Sequence, residues 1–585
     1  MRLLFFTAWL ISSTAYFFQA PCPAAPPNVL LIMSDDQGWG DIHSHGNDKI
    51  DTPVLDRLAS EGIRFDRFFV SPVCAPTRAS LLTGRDHLRT GTVWVTRNLE
   101  TMRAEEVTLG EIFNANGYAT GCFGKWHNGA HFPNHPNGQG FDEFFGFCAG
   151  HWNNYFDTTL ERNGKPVKTA GYITDVLTDA AMDFISENQD CPFFCYIPYN
   201  APHSPFQVPD HYFDKYKERG FDDRNACVYG MVENIDDNVG RLLQELDRLG
   251  LTDNTIVLFL TDNGPNTRDR YNGGMRGAKA SVHEGGVRVP LFIRWPGHIK
   301  PGSEVREITS NIDILPHLVD MCSLPQPKTL PLDGMSLVPL IEGKTKGWPD
   351  RLLFTHHTRR GEVERSPASV RSQTHRLIVN EKGYQLYNLN DDPGEETNLA
   401  ENERETVQQM AQEYDQWFNE VTKNLKGRMP IPVGYSGWSE VTLPAHEAYL
   451  EGGARYQGRA GWANDWVTNW TTKEDSIAWE IDVENPGTLA ASILYTCPKK
   501  DVGSTLVVEA GQSSARAKLQ NPHDPPHIPS PDRVDRGEVY EKEWGVLPLG
   551  PIDLVKGRQK IKLKAIEISG DQAADVKALV LKREN

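Results

Sequence analysis

Cysteine is scarce in this chain, with nine residues among 585. That number is too small for a fold of this length to depend on disulfide bridges. Cys191 and Cys195 are close enough in sequence to form a pair, although the apolar stretch between them fits burial of both equally well. The odd number of cysteines also fits a mature chain in which one of them is no longer a thiol.

Basic residues are in the minority as well. Lys and Arg together number 60 against 78 Asp and Glu, which gives a formal net charge of −18 at pH 7. This balance argues against a nucleic-acid binder, since such proteins normally present a basic face. A site for an anionic ligand must therefore be a local cluster of basic side chains and metal.

Long apolar runs are confined to the N-terminus. Met1 and Arg2 precede an apolar segment over residues 3–18, and small residues follow it. This order is typical of a secretory signal, and the run is shorter than the ~20 residues that a membrane span requires. Cleavage after Ala20 and cleavage after Ala25 fit equally well. We therefore predict a signal peptide over residues 1–25, a secreted or periplasmic location and no membrane span in the mature chain.

The first part of the chain alternates between apolar runs and helical patterns. Apolar runs without alternation are typical of strands buried on both faces of a parallel sheet. Those runs are residues 28–34, 192–198, 255–261 and 289–295, and the helical patterns are residues 54–61, 176–187 and 228–249. The order predicts an α/β catalytic domain over residues 26–350, with a large, mostly parallel sheet flanked by helices.

The pattern changes after about residue 350. Residues 376–379 and 385–389 are predicted strands and residues 403–423 a predicted helix, which indicates a small antiparallel α+β subdomain over residues 351–426. Alternating apolar residues then predict an accessory β-sandwich over residues 438–585, joined by the segment 427–437. Within it, residues 521–532 are rich in Pro, His and Asp and are expected to form a long loop.

Acidic and amide side chains directly follow two of the predicted strands. Asp35 and Asp36 follow the first, and Asp262 and Asn263 follow the strand over residues 255–261. A helix cap explains the first pair equally well, and a turn explains the second. Taken together, three carboxylates and an amide oxygen form a hard ligand set that suits Ca²⁺, with Mg²⁺ second, whereas hydrolytic zinc sites use histidine.

Basic residues follow two further strands. Lys125 and His127 come after the apolar residues 118–123, and His203 follows the strand over residues 192–198. Ligands of an α/β sheet bind beyond the carboxyl ends of its strands. We therefore expect these side chains to meet the acidic ones at one edge of the sheet.

Residues 72–85 are the most informative segment. Cys74 is predicted to lie in the loop before a helix that begins near Thr77, where free N–H groups and the helix dipole favour negative charge. Arg78 can direct a guanidinium group to the same place. A buried structural cysteine and an ordinary thiol nucleophile are alternatives, but a thiol nucleophile would require a histidine base rather than a cluster of carboxylates.

The pattern Cys74-x-Pro76-x-Arg78, followed by residues 81–85 (LLTGR), resembles the signature of type I sulfatases in the alkaline phosphatase superfamily. Residues 117–120 (GYAT) and 124–129 (GKWHNG) resemble the second signature of that family, and the likeness extends over residues 28–422. It implies an alkaline phosphatase-like fold and a sulfuric ester hydrolase. Thr77 replaces the commoner Ser, and Asn128 stands where Leu is usual.

The resemblance also implies how the site is built. In the family, a formylglycine-generating maturation enzyme oxidises the signature cysteine, here Cys74, to formylglycine (3-oxoalanine) before folding, and the hydrated aldehyde is the nucleophile. The implied calcium ligands are Asp35, Asp36, Cys74 in its modified form, Asp262 and Asn263.

The remaining implied residues are basic. Arg78 and Lys125 would hold the nucleophile and the sulfate oxygens, and His127 would act on the second hydroxyl of the hydrated aldehyde. His203 and Lys279 would face the leaving-group oxygen. Without the resemblance, a loop histidine and a solvated lysine explain the last two better than catalytic roles do.

Substrate residues are not implied by the motifs. Residues 151–155 (HWNNY) suit a sugar as well as they suit packing, and His356, His357, Arg359 and Arg360 are candidates for a second sulfate or carboxylate. The predicted sandwich is a candidate carbohydrate-binding module or a docking domain. Its tryptophans are Trp438, Trp462, Trp466, Trp470 and Trp479.

The sequence therefore predicts hydrolysis of a sulfate monoester, on a sulfated glycan or another small sulfate ester. Two alternatives stay open. One is a phosphonate or phosphodiester hydrolase of the same superfamily. The other is a catalytically dead protein that binds sulfated glycans.

Overall fold

The structure is a computed structural model that describes residues 26–325, 328–358, 361–458 and 460–583. The predicted signal peptide and the candidate residues Arg359 and Arg360 lie outside the described residues. Every helix within the described ranges is too short or too polar to cross a lipid bilayer.

A ten-stranded sheet forms the centre of the N-terminal domain. Its middle strands are parallel, and antiparallel strands extend it on both sides. This confirms the predicted α/β class, with a sheet that is mixed at its edges. In order across the sheet, the strands are Ser303–Val305, Ile63–Phe65, Leu291–Arg294, Thr255–Thr261, Asn28–Ser34, Phe193–Pro198, Ala119–Lys125, Glu143–Phe147, Thr159–Arg162 and Lys165–Lys168.

The apolar run over residues 289–295 was predicted as one strand and is instead divided. Arg288–Val289 pairs with Phe68–Phe69 in a small three-stranded sheet that also contains Thr309–Ser310, and Leu291–Arg294 joins the large sheet. Pro290 lies between the two pieces. Because proline has no N–H to donate, it interrupts the ladder at that point.

Helices cover both faces of the large sheet. Val29, Leu31 and Met33 pack into one core, while Leu30 and Ile32 pack into the other, which explains why the first strand shows no polar alternation. The helices of this domain are Pro53–Glu61, Cys74–Thr83, His87–Thr90, Leu109–Ala115, Ile173–Glu187, Asp210–Glu218, Asp223–Arg248, Glu284–Val287, Ile314–Met321 and Val338–Ile341.

The predicted antiparallel subdomain is present, with somewhat different bounds. Its four strands are packed against one helix, Arg404–Thr422. The strands are Leu353–His356, Ala368–Arg371, His375–Asn380 and Gly383–Asn388.

A buried carboxylate fastens this subdomain to the N-terminal domain. Glu284 Oε2 accepts from Arg376 Nη2 at 2.7 Å and lies 3.4 Å from Arg371 Nε. Burial by itself raises the pKa of Glu284, but the guanidinium groups of Arg371 and Arg376 outweigh it and lower the pKa to about 2. The two domains are therefore joined by an ion cluster that water does not reach.

The C-terminal domain is a sandwich of two antiparallel sheets. One sheet contains the parallel-paired strand Ile431–Val433, so the sandwich begins before the predicted boundary at residue 438 and includes part of the predicted linker. The other strands of the domain are Glu440–Pro444, Tyr449–Glu451, Arg455–Tyr456, Val467–Thr468, Ser476–Val483, Gly487–Thr496, Thr505–Ala510, Ser513–Lys518, Gly545–Leu554, Gly557–Glu567 and Asp575–Lys582.

The tryptophans and cysteines occupy contrasting positions. Trp466, Trp470 and Trp479 are buried, whereas 38% of Trp462 is exposed. Cys195 is buried in its strand, Cys191 is exposed, and the two are not bridged. The core therefore accounts for most of the tryptophans that sequence alone had left open to sugar binding.

We expect Glu284→Gln to destabilise the protein by about 3 kcal/mol, because it removes a counter-charge that two buried guanidinium groups share. A fall in the thermal unfolding midpoint at pH 7 would show this effect. Because the folded pKa of Glu284 lies below its ordinary value of 4.5, the difference from the unaltered protein should shrink as the pH falls from 4.5 toward 2. Glu480→Gln, at an exposed strand position, is the control and should leave the midpoint unchanged.

Candidate active site

An acidic cluster lies where two neighbouring parallel strands end. Ser34 and Thr261 are paired in register, so the residues that follow them emerge side by side. The Asp36 N–H donates to Asp262 Oδ1 at 3.1 Å, and Asn263 Nδ2 donates to Asp36 Oδ1 at 2.8 Å. Asp35 and its three partners in this cluster are buried. The structure thus brings together the four side chains that the sequence separates by more than two hundred positions.

Cys74 lies beside the acidic cluster. The sequence predicted that Cys74 lies in the loop before the helix. The structure corrects this, because Cys74 is the first residue of the helix Cys74–Thr83. Its sulfur and one carboxylate oxygen each from Asp35 and Asp262 all lie within 4.8 Å of one another. Burial raises the pKa of the thiol, more than Lys125 and Lys279 lower it. Because the thiolate is the reactive form, an unmodified Cys74 would be a poor nucleophile.

Two buried cations neutralise part of the cluster. Arg78 donates from Nε and Nη2 to Asp262 Oδ2, at 3.2 and 2.8 Å, and Lys125 Nζ donates to Asp35 Oδ2. Arg78 Nη1 also donates to the Lys125 carbonyl at 2.5 Å, which ties the helix of Cys74 to the neighbouring strand end. The guanidinium and ammonium groups are therefore fixed next to the position of the sulfur.

Lys279 and His203 both face Asp36. Lys279 Nζ lies 2.6 Å from Asp36 Oδ1, and His203 Nε2 lies 3.7 Å from Asp36 Oδ2. Burial opposes the charge of Lys279, but Asp36 outweighs it and raises the pKa of the lysine. Burial and then Lys279 lower the pKa of His203. Lys279 is thus a charged donor, and His203 is neutral at pH 7.

The hydrogen bonds of the two histidines fix their tautomers. His203 Nδ1 lies 2.7 Å from the Ser204 carbonyl, and His127 Nε2 lies 3.0 Å from the Val95 carbonyl. A carbonyl only accepts, so each of these nitrogens carries the proton. His127 Nδ1 is buried and has no hydrogen-bond partner among the described residues. Burial, followed by Lys125, holds the pKa of His127 well below its usual range, which leaves Nδ1 as a free proton acceptor.

A glycine leaves room for the His127 ring. A Cβ atom added to Gly150 would lie 2.7 Å from His127 Nε2, closer than a side chain can approach. His127 itself adopts a left-handed conformation with φ of 60°. The orientation of the ring thus depends on the bare backbone at position 150.

Two oxygens of the acidic cluster have no hydrogen-bond donor among the described residues. Asp35 Oδ1 and Asn263 Oδ1 are buried and accept no hydrogen bond from the described residues. Burial and the neighbouring Asp35 raise the pKa of Asp262 to about 7. Buried oxygens without donors are costly, and a hard cation that takes oxygen ligands would satisfy them. The residues present therefore fit a calcium or magnesium ion.

A cavity of about 510 Å³ opens above Cys74. His127, His203 and Lys279 line it, as does His151. Sequence reasoning missed a further group of lining residues, because they lie in other parts of the chain and match no motif. They are Arg224, Asn266, Thr267, Asp535 and Glu538.

The histidine pair proposed for a second anion lies elsewhere. His356 and His357 are buried, His356 beside the His87 ring and His357 beside the Trp94 ring. Neither is among the described residues that line the cavity over Cys74.

Comparison with known proteins gives consistent matches. The family model described as Sulfatase matches residues 27–323, and the one described as N-sulphoglucosamine sulphohydrolase, C-terminal, matches residues 278–423. The chain is 33% identical to human (Homo sapiens) arylsulfatase A over 446 residues, covering 64% of this chain and 84% of that protein. Neither family model reaches the C-terminal sandwich.

Two solved structures extend the comparison. One is Ps i-CgsB in complex with k-i-k-neocarrahexaose, with a TM-score of 0.65 and 30% identity, covering 69% of this chain and 95% of that chain. The other is the phosphonate monoester hydrolase of Agrobacterium radiobacter, with a TM-score of 0.54 and 23% identity, covering 68% of this chain and 96% of that chain. The second likeness concerns the fold alone.

The environment of Cys74 predicts that its thiol reacts slowly with alkylating reagents. In protein produced without a maturation system, we expect iodoacetamide at pH 7 to alkylate Cys74 at least tenfold more slowly than the exposed Cys191, because Cys74 is 2% exposed and its thiolate is disfavoured. Peptide mass spectrometry over a time course measures both rates. Labelling in denaturant is the control and should make the rates equal, whereas rapid labelling of Cys74 in the folded protein would contradict the buried site.

Proposed function

Because the chain belongs to the sulfatase family and is therefore a sulfuric ester hydrolase, we propose that it releases sulfate from a carbohydrate through a formylglycine formed from Cys74. The observation that carries this proposal is the closeness of the Cys74 sulfur to carboxylate oxygens of Asp35 and Asp262, all within 4.8 Å. A thiol nucleophile gains nothing from carboxylates at that distance, since they oppose its ionisation. A hydroxyl group does benefit from these carboxylates when they bind a cation that also binds the hydroxyl.

The burial of Cys74 supports modification at an early stage. A formylglycine-generating maturation enzyme could not reach a side chain that is 2% exposed at the base of the site, so the oxidation of Cys74 precedes folding. The predicted signal peptide is consistent with this order, because it would direct the chain to a secreted or periplasmic location. The hydrated aldehyde supplies two hydroxyls, one to attack sulfur and a second from which a proton can be removed.

We assign the cation to the acidic cluster, with Ca²⁺ as first choice and Mg²⁺ as second. Its ligands would be Asp35, Asp36, Asp262, Asn263 and the modified Cys74. This assignment is supported by Asp35 Oδ1 and Asn263 Oδ1, which accept no hydrogen bond from the described residues. When bound, such an ion lowers the pKa of a hydroxyl ligand and opposes negative charge on an ester oxygen.

The basic side chains divide the remaining work. Arg78 and Lys125 are held rigidly by Asp262 and Asp35, so they oppose charge on the sulfate oxygens without having to reorganise. Lys279 is protonated and lies at the cavity, where it can donate a proton to the departing oxygen.

His127 and His203 act as neutral rings in this scheme. His127 Nδ1 can take the proton from the second hydroxyl, which lets the sulfate group depart. The proton of His203 lies on Nδ1 and is donated to the Ser204 carbonyl, so its Nε2 accepts rather than donates. This favours Lys279 over His203 as the general acid.

A carbohydrate substrate is supported by the cavity and by one relative. The cavity combines the aromatic residues Trp94 and Trp462 with several polar groups, a mixture that suits a sugar. The structurally similar Ps i-CgsB was solved with an oligosaccharide bound. Phosphonate or phosphodiester hydrolysis and mere binding of sulfated glycans remain the alternatives. Rates on matched sulfate and phosphate esters distinguish the first, and the Cys74 variants below distinguish the second.

The first test concerns Cys74. We expect the peptide over residues 72–85 of active protein to have the mass of the aldehyde, and Cys74→Ala to lose more than a thousandfold in sulfate release from sulfated sugars. Cys74→Ser is the matched variant: its single hydroxyl can take the sulfate group but cannot expel it, so at most one equivalent of desulfated sugar should form per protein molecule, with the sulfate retained on the substituted side chain and none released. Full activity of Cys74→Ala, or a thiol mass in fully active protein, would refute the proposed nucleophile.

The second test concerns the cation and does not depend on activity. Calcium at a hundred times its dissociation constant should stabilise the folded protein by about 2.7 kcal/mol, since it binds the native state. The thermal midpoint should therefore rise with calcium and fall with chelator. Asp262→Asn should abolish the calcium response, while Asp571→Asn, at an exposed position, should retain it. An equal response in both variants would place the ion elsewhere.

A further inference from the structure

The C-terminal domain contributes to the cavity above Cys74. Two of its loops line that cavity, one with Trp462 and Ala463 and the other with residues 535–538. These loops lie outside both matched family models, which end at residues 323 and 423. Part of the cavity wall is thus built from a domain that the family match does not describe.

The first loop is fastened to the N-terminal domain on both sides of Trp462. Thr96 Oγ1 donates to the Gly461 carbonyl at 3.0 Å, and Asn464 Nδ2 donates to the His151 carbonyl at 2.9 Å. Lys577 Nζ holds the Asn464 carbonyl from within the sandwich at 2.7 Å. Trp462 is therefore held at the cavity edge by contacts with both domains.

The second loop is fastened in the same way. Arg536 Nη1 donates to the Asn153 carbonyl at 2.6 Å, and its Nε donates to Asp532 at 2.7 Å. Gln207 Nε2 donates to the same Asp532 carboxylate at 2.6 Å. Nη2 of Arg536 donates to Ser530 and Asp532 as well, so all three nitrogens of this guanidinium bind the protein and stiffen the loop. The neighbouring Glu538 is left to face the cavity.

Glu538 has one oxygen in use and one without a partner. Ser204 Oγ donates to Oε1, whereas Oε2 is buried and accepts no hydrogen bond from the described residues. Burial raises the pKa of Glu538, but its polar neighbours, among them the Ser204 hydroxyl, lower it below its ordinary value, so Glu538 is a carboxylate at pH 7. A buried carboxylate oxygen without a donor is costly unless a ligand supplies one.

Two neighbours share the cavity with Glu538. His151 is 5% exposed, and its Nε2 likewise has no hydrogen-bond partner among the described residues. Trp462 is 38% exposed and contacts no other aromatic ring within the described part of the chain. A polar acceptor, a polar ring atom and an open aromatic face on one cavity are the features that recognise a sugar, whose hydroxyls donate and whose ring faces are apolar.

We infer that Glu538, His151 and Trp462 form a subsite for the sugar that carries the sulfate, with Glu538 Oε2 accepting from a sugar hydroxyl and Trp462 packing on the sugar face. This inference rests on the proposed function and specifies its substrate side. The C-terminal domain then completes the active site and is not a separate carbohydrate-binding module. Glu538 is a specificity-determining residue, since a leaving group without hydroxyls cannot donate a hydrogen bond to its Oε2.

The test compares two probes, a panel of monosulfated methyl glycosides and para-nitrophenyl sulfate, which lacks hydroxyl donors. We expect Glu538→Gln to lower kcat/KM for the best glycoside at least tenfold more than for para-nitrophenyl sulfate, mainly through KM. Trp462→Ala should change the same ratio, and Trp462→Phe, which keeps an aromatic face, should restore most of it. Glu480→Gln, at an exposed position of the same domain, should leave both rates unchanged.

Ser204→Ala distinguishes sugar binding from an indirect effect. It removes the hydroxyl that links Glu538 to the His203 segment and leaves the carboxylate in the cavity, so both probes should be affected in proportion. If Ser204→Ala changed the ratio as much as Glu538→Gln, or if neither Glu538 nor Trp462 variants changed it, the inference would be wrong. Failure of the unaltered protein to release sulfate from either probe would instead refute the proposed function.

Discussion

Three carboxylates packed together out of water are the constraint on which the site depends. Asp35, Asp36 and Asp262 repel one another, and burial adds to the cost of their charge. Each is opposed by a cation of its own, Lys125 for the first, Lys279 for the second and Arg78 for the third. Because the donors come from a strand end, a loop and a helix, the cluster can form only when the sheet and its connections are complete.

The same pairing decides the protonation state of the site. Lys279 keeps its proton because Asp36 is beside it, and that charge in turn helps to keep His203 neutral. Burial and Lys125 do the same to His127, which leaves one donor and one acceptor on a shared cavity at neutral pH. A charged lysine and two neutral histidines therefore follow from burial together with these ion pairs.

Much of this arrangement could be predicted from sequence, because it depends on local rules. Unbroken apolar strands followed by Asp35 or Asp262 indicate ligands at the end of a parallel sheet. Two predictions were wrong: the sequence predicted one strand where Pro290 divides it, and it predicted Cys74 outside the helix. Both features depend on hydrogen bonds that the sequence pattern alone does not reveal. Element bounds elsewhere differ by only a few residues, except that the long helix Asp223–Arg248 begins five residues earlier than predicted.

The sequence did not predict the part of the cavity wall that the C-terminal domain contributes. Glu538 lies more than four hundred positions from Cys74, in a loop without regular structure, and reaches the site only because two domains dock. The tautomer of His127 was equally inaccessible, since the backbone carbonyl of Val95, in another segment, determines it. Long-range contacts of this kind leave no periodicity in the chain.

The bare backbone at Gly150 has a consequence for how such a protein can change. Any side chain there would displace the His127 ring, because its first carbon would lie 2.7 Å from Nε2. The next residue, His151, lines the cavity. Substitutions of His151 can thus alter substrate preference while Gly150 keeps the His127 ring in place. Selectivity and turnover therefore depend on two different residues, although these are adjacent in the chain.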